Sequence, residues 1–399
     1  MMVGVVGKAN VGKSTFFKAV TLGDVLIANY PFATIKPNSG VGYVKIDCVD
    51  KEFDTQCNPR TGHCQNHKRF VPVELIDVAG LVPGAYEGKG MGNQFLDDIR
   101  QADVLIHVID AAGATNDKGE PVEPGTHDPA DDVRFLEIEL DMWYLGILKK
   151  GWEKFARTIQ QTGGKIEVAL AKQLSGVGVD EDMANIVIRN LGLPVDSVIS
   201  WTESQLRSLA VEFRKLTKPM VIAANKMDVG NGRDNLERLK KEFPEHRIIG
   251  CSAESELALK EAAKHGLIEY IPGEDDFKIT SEDRLNDTQK AALGFIRDNV
   301  LKRNNGSGVQ DILDTAVFGL LGYIAIFPGG VNKLADSDGN VLPDCFLMPP
   351  DSTALDFAFK LHTDFGKNFI RAIDVKKKIT VGKEYKLNHR DVIEIISSK

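Results

Sequence analysis

The densest chemical signal in the chain is the octapeptide Gly7-Lys-Ala-Asn-Val-Gly-Lys-Ser14. It fills the pattern GxxxxGK[ST], in which successive backbone N–H groups turn inward and surround the phosphates of a nucleotide. Gly7 and Gly12 let the main chain come close without a Cβ in the way, and Ala9, Asn10 and Val11 present the N–H groups between them. Lys13 is placed to reach the terminal phosphates and Ser14 to ligate Mg²⁺, while Thr15 belongs to the helix whose positive end faces the same anion.

Further elements follow in an order that suits one nucleotide. Thr34, in the loop-like stretch Asn29 to Gly40, can add a hydroxyl to the Mg²⁺ shell when a γ-phosphate is present. Asp77-Val-Ala-Gly80 supplies a carboxylate for a Mg²⁺-bound water and a glycine N–H for the γ-phosphate. At position 81, where many GTP-hydrolysing switches carry a glutamine to orient the attacking water, this chain has Leu81. Asn225-Lys-Met-Asp228 offers a carboxylate, Asp228, that can accept from both N1–H and the 2-amino group of guanine; adenine has no such pair of donors. Asn225 would tie this turn to the phosphate loop, and the Lys226 stem would lie along the base. The backbone of Ser252 and Ala253 would meet the guanine carbonyl oxygen.

These residues need a parallel sheet that delivers them at one edge. Val3 to Val6, Phe70 to Val78, Val104 to Asp110, Pro219 to Ala224 and Arg247 to Gly250 read as its strands, with Val41 to Val49 as another. From about Asp128 to Leu216 the pattern becomes helical, with Val133, Leu136, Leu140, Trp143 and Ile147 at helical spacing. Thr202 and Gln205 form a capping box there. Trp143, Trp152 and Trp201 read as core. Gln289 to Arg303 and Val309 to Leu321 read as two more helices. In the last part, Tyr323 to Phe327, Asn332 to Leu342, Phe369 to Val375, Lys383 to Leu387 and Val392 to Ile396 read as strands around a helix Thr353 to His362 capped by Ser352.

At 399 residues the chain exceeds one ordinary core, and 43% hydrophobic with 27% charged residues is the composition of a globular protein. A net charge of −8 argues against a nucleic-acid coat, and no DNA partner is expected. Residues 320 to 399 carry eleven Lys and Arg against ten Asp and Glu, with one basic cluster at Lys376 to Lys378. The first strand begins at residue 3, leaving no room for a leader, and the charge-free run Thr315 to Asn332 is broken by Pro328, Gly329 and Gly330, so a cytoplasmic protein with no membrane contact is expected. Five cysteines do not make a disulfide framework in a chain of this length. Cys57, Cys64 and His67 could ligate a metal, but x₆ followed by x₂ is not a familiar zinc spacing, and a polar hairpin tip with reduced thiols is expected.

Together these elements resemble a translation-factor-type GTPase. Asn-Tyr-Pro-Phe-Ala-Thr34 and the stretch from Asp77 through Asp103, glycine-rich in its first half, resemble the Obg family, with Ala33 where many members have a second threonine. The helical insertion and the tail around Pro349 to Ala358 and Leu361 to Gly366 resemble the YchF-type branch with its C-terminal TGS domain. The resemblance implies an α/β fold: a P-loop NTPase of the Ras-like kind at 1–127 and 218–285, an inserted α-helical domain at 128–217, a helical connector at 286–320 and a β-grasp TGS domain at 321–399. It implies a slow GTPase with Mg²⁺ as cofactor, GTP and GDP as substrate and product, a hydrophobic residue in place of the catalytic glutamine, and a ribosome or RNA partner met through the TGS domain. The intact Asn225-Lys-Met-Asp228 favours guanine. An ATP-preferring YchF-like NTPase and a nucleotide-stabilised ribosome- or RNA-binding adaptor with negligible turnover are the competing expectations.

Overall fold

The computed structural model describes residues 1–22, 38–80, 84, 86 and 92–398; Thr34 and Leu81 lie outside the described residues. The chain divides into two compact units: Met1–Phe17, Leu75–Ser255 and Ser307–Ile312 form one, and Lys18–Glu74, Glu256–Gly306 and Leu313–Lys399 the other.

In the first unit the strands Met2–Val6, Val104–Asp110, Met220–Asn225 and Arg247–Gly250 pair in parallel in that order, Val3 opposite Val104, Leu105 opposite Met220 and Val221 opposite Arg247. The end of the strand Lys68–Asp77 lies beside Met2–Val6, where Val78 N–H donates to Val5 O at 3.0 Å. Every residue of Val104–Asp110 is buried, as expected of a parallel strand covered on both faces. Burial has a cost at one of them: His107 is held in its neutral form, its pKa pushed down to about 3, and its Nδ1 has no hydrogen-bond partner among the described residues.

The helices Pro129–Lys149, Trp152–Thr162, Ile166–Leu174, Glu181–Asn190 and Glu203–Thr217 fill the stretch between the strands Val104–Asp110 and Met220–Asn225. Asp128 and Asp180 cap two of them, and the Thr202–Gln205 capping box opens the last. Their apolar faces share one core with the sheet, running from Val6, Val78, Phe95 and Leu105 to Leu140, Trp143, Trp152, Trp201 and Phe213. The three tryptophans are core residues, Trp152 stacking on Trp201 with ring centroids 5.7 Å apart. Arg214, itself buried, bridges Glu137 at 2.9 Å and Asp141 at 2.8 Å across the longest pair of helices.

In the second unit the strand Ser39–Asp47 is followed by the hairpin formed by His63–Gln65 and the start of Lys68–Asp77, turning at Asn66 and His67 with φ of 48° and 60°. The helix Asp287–Ile296 opens on a second capping box, Asn286 with Gln289. The tail is a five-stranded sheet, in the order Phe346–Met348, Ile324–Pro328, Val392–Ser397, Phe369–Asp374, Ile379–Val381. The helix Ala354–Leu361 lays Ala354 and Phe357 on Ile326, Ala372 and Ile393 of that sheet, the arrangement of a β-grasp domain.

Three tail details differ from expectation. Asn332 to Leu342 contributes a single bridge, Ala335 to Val341, rather than a strand. The helix cap is Thr353, boxed with Asp356, while the Ser352 hydroxyl turns back to Pro349 O at 2.8 Å. Lys383 to Leu387 alternates like a strand but spends its carbonyls on the helix start: Ala354 N–H donates to Tyr385 O at 2.9 Å and Leu355 N–H to Lys383 O at 3.2 Å. Among the described residues no helix is long and apolar enough to cross a membrane.

Candidate nucleotide site

The carboxyl edge of the parallel strands in the first unit gathers Gly7 to Ser14, Asp77, Asp110, Asn225 to Asp228 and Cys251 to Ala253, the edge at which open α/β sheets take ligands. The phosphate loop is shaped by two glycines that admit no substitute. A Cβ on Gly7 would lie 2.4 Å from Val108 O, and one on Gly12, at φ +93°, would lie 2.2 Å from Asn225 Nδ2. Phe16 N–H donates to Gly12 O at 2.8 Å and starts the helix Lys13–Thr21, on whose first turn Ser14 is exposed. The Lys13 ammonium rests on the Asp77 carboxylate and donates to Val78 O at 2.7 Å. Gly80 has open space where a side chain would be.

Asn225 is the hub of the base-side half. Its amide donates to Val11 O at 3.0 Å, and its carbonyl accepts from Ala253 N–H at 3.0 Å, so one side chain fixes three of the predicted segments to each other. Lys226, held at φ +59°, donates to Asn10 O at 3.0 Å and to Asp110 at 2.7 Å. Asp228 Oδ1 is buried and has no hydrogen-bond partner among the described residues. The N–H groups of Ser252 and Ala253 are both engaged within the fold, Ser252 N–H donating to Ser307 O at 3.0 Å and its hydroxyl to Ser255 at 2.8 Å.

Several contacts escaped the motif reading. Asp110 is fully buried, accepts from the Thr115 hydroxyl at 2.7 Å and from Ala112 N–H at 3.0 Å, and so pre-sets the carboxylate that holds Lys226. The turn that follows lies over the phosphate loop: Asn10 donates to Gly119 O at 2.7 Å, and a Cβ on Gly119 would be 2.8 Å from the Ala9 Cβ. Lys8 is buried beneath, with its ammonium 2.5 Å from Asp132, 3.2 Å from His127 Nε2 and 3.0 Å from Asn116 O. Burial still raises the Asp132 pKa against these partners. The sole local signal for this clasp was an aspartate ending an apolar strand, because its contacts join residues more than a hundred positions apart.

The comparisons with known proteins cover the same ground. A family model for a 50S ribosome-binding GTPase matches residues 2–133, one for the Obg-like GTPase YGR210-like, G4 motif-containing domain matches 223–330, and one for the TGS domain matches 337–397. A GTP-binding protein of Methanocaldococcus jannaschii is 50% identical over 398 residues, 100% of this chain and 99% of that one. A ribosome-binding ATPase YchF of Bacillus subtilis is 28% identical over 388 residues, 93% of this chain and 87% of that one. The crystal structure of a GTP binding protein from Pyrococcus horikoshii OT3 shares 40% identity and a TM-score of 0.78, each chain covered fully. With the phosphate loop, the guanine-type turn and the TGS tail all in place along that full-length likeness, the chain belongs to the Obg-like, YchF-related family of GTP-binding proteins.

Proposed function

We propose that the chain is a slow, Mg²⁺-dependent GTPase switch of the cytoplasm whose state is read by the ribosome. The observation that carries the guanine assignment is Asp228 Oδ1, a carboxylate oxygen buried without a partner among the described residues. Such an oxygen is costly unless a ligand donor meets it, and guanine brings two donors where adenine brings none. Asn225 and Lys226 support the same reading, since they lock the base turn to the phosphate loop before any ligand arrives.

In this reading Gly7, Ala9, Asn10, Val11, Gly12, Lys13, Ser14 and Thr15 cradle the phosphates. Lys13 would exchange Asp77 for the β- and γ-phosphates, and Asp77 would then be free to hold a metal-bound water. Ser14 and Thr34 would hold the metal directly, and the Gly80 N–H would meet the γ-phosphate. The donor set is all oxygen, as Mg²⁺ requires, and the metal when bound offsets phosphate charge as the terminal bond breaks. Leu81 has no group to orient water, so hydrolysis by the isolated protein is slow, and a partner completes the site. Ser252 and Ala253 shape the base pocket through Asn225 and the helix they open. The ribosome enters from the name of the Bacillus subtilis relative, and we assign its contact, or that of RNA, to the TGS tail.

Competition among GTP, ATP and XTP for the purified protein tests the base assignment. GTP should win, and Asp228→Asn should move the preference toward XTP; an ATP preference would establish the YchF-like alternative. Multiple-turnover phosphate release with and without ribosomes tests the switch. Stimulation is expected, and no turnover in either condition would leave an adaptor.

A further inference from the structure

The second unit holds a cluster that the nucleotide site does not use. Cys48 follows the strand Ser39–Asp47, Asp50 lies in the short helical turn Val49–Phe53, Cys57 sits in the loop after it, and Cys64 is in the hairpin strand His63–Gln65. One ligand atom from each of the four lies within 4.8 Å of all the others. Cys48, Cys57 and Asp50 are buried, and Cys64 is partly so. The Cys48 and Cys57 sulfurs are 3.5 Å apart, and Cys64 Sγ is 3.8 Å from Asp50 Oδ2. The cysteines are not disulfide-bonded.

These spacings suit one small tetrahedral ion. With a metal–sulfur bond of about 2.3 Å, tetrahedral geometry sets neighbouring sulfurs roughly 3.8 Å apart. A disulfide would need about 2.05 Å, far closer than the sulfurs are. The carboxylate makes the stronger argument. Asp50 is fully buried among three thiols, and buried charges are paired or coordinate metals. Its Oδ1 is held by His67 Nδ1 at 2.9 Å, and its Oδ2, which accepts from Cys57 N–H at 3.0 Å, is turned to the sulfurs. A ligand carboxylate fixed by an outer histidine is the kind of support that metal sites carry around their direct ligands. Arg69, 3.7 Å from Cys57 Sγ, sets a positive charge beside the cluster.

We propose that Cys48, Cys57, Cys64 and Asp50 bind one structural Zn²⁺, with His67 orienting Asp50. The sulfurs bind as thiolates and their protons go to solvent. Four protein ligands leave no open position, so the ion is structural and does no chemistry. Its effect falls on the loop it closes. Asn58 N–H donates to Val341 O at 2.8 Å and Arg60 N–H to Pro343 O at 2.9 Å, so the ion would stiffen the segment that holds the TGS tail. The sequence hid the site because Cys48 and Asp50 lie outside the Cys57 to His67 run and reach it only through the fold.

The test uses the full chain, free of any histidine tag, reduced, supplied with Zn²⁺ and dialysed. Elemental analysis should find one zinc per chain, released when an organomercurial blocks the thiols. Cys57→Ser and Cys64→Ser should fall at least tenfold in retained zinc, while Cys345→Ser, buried but not one of the four ligands, keeps its full equivalent. If the ligand variants do not fold, Co²⁺ bound to the parent protein gives a separate reading: sulfur-to-cobalt charge-transfer absorption with tetrahedral d–d bands is expected. Zinc-free parent protein, full zinc retention by both ligand variants, or cobalt spectra without sulfur bands would each overturn the proposal.

Discussion

Asp110 governs the base turn from below. Its carboxylate is 2.7 Å from the Lys226 ammonium, which in turn holds Asn10 O, so a single buried charge sets the height of the base turn over the phosphate loop. Asp110→Asn keeps the shape but removes the charge, and charge-assisted hydrogen bonds contribute about 1.5–3 kcal/mol. GTP affinity measured by titration calorimetry should therefore weaken about tenfold to a hundredfold; an unchanged affinity would mean that Lys226 is positioned by Asn10 and Thr115 alone. At this scale the sequence was legible wherever chemistry fixes both residue type and spacing, as in Gly7 to Ser14 and Asn225 to Asp228. Asp110, Lys8 and Asp132 carry no such pattern. Their role arises from pairing across more than a hundred residues, and only the folded sheet brings them together.

Elements were legible where periodicity and burial agree. All seven residues of the strand Val104 to Asp110 are buried, and the Thr202–Gln205 box caps the helix it was read to cap. Lys383 to Leu387 failed because alternation says nothing about which neighbour takes the backbone, and here a helix N-terminus takes it. The central strand also sets an acid limit. The folded His107 pKa of about 3 lies below its usual 6.5, so between those values the unfolded chain binds the extra proton. Stability is then complete above about pH 6.5 and declines as pH falls toward 3, at up to about 1.4 kcal/mol per pH unit from this group. His107→Leu should flatten that slope in urea unfolding followed from pH 7 down to about pH 4. Parallel curves for parent and variant would show that other groups set the acid response.

At the scale of the molecule, neither compact unit is a continuous piece of chain: the second joins Lys18–Glu74 to Glu256–Gly306 and Leu313–Lys399. Arg69 is one of the ties within it. Fully buried, it donates to Leu342 O at 3.0 Å and to Pro343 O at 3.1 Å. Arg69→Met would strip Leu342 O of this donor and leave Pro343 O with the Arg60 N–H alone, at a cost of about 1–3 kcal/mol. Limited chymotrypsin digestion should then release a TGS-sized fragment faster than from the parent, and equal rates would show that Asn58 and Arg60 suffice.

The turn over the phosphate loop has a bearing on descent. Gly119 and Ala9 meet so closely that a side chain on 119 would stand 2.8 Å from the Ala9 Cβ, although 110 positions separate them. A lineage that places a side chain at 119 must shift the loop that carries Ala9 in the same step, so the two stretches should co-vary as one heritable module. A phosphate loop grafted from another GTPase would have to bring its own turn with it.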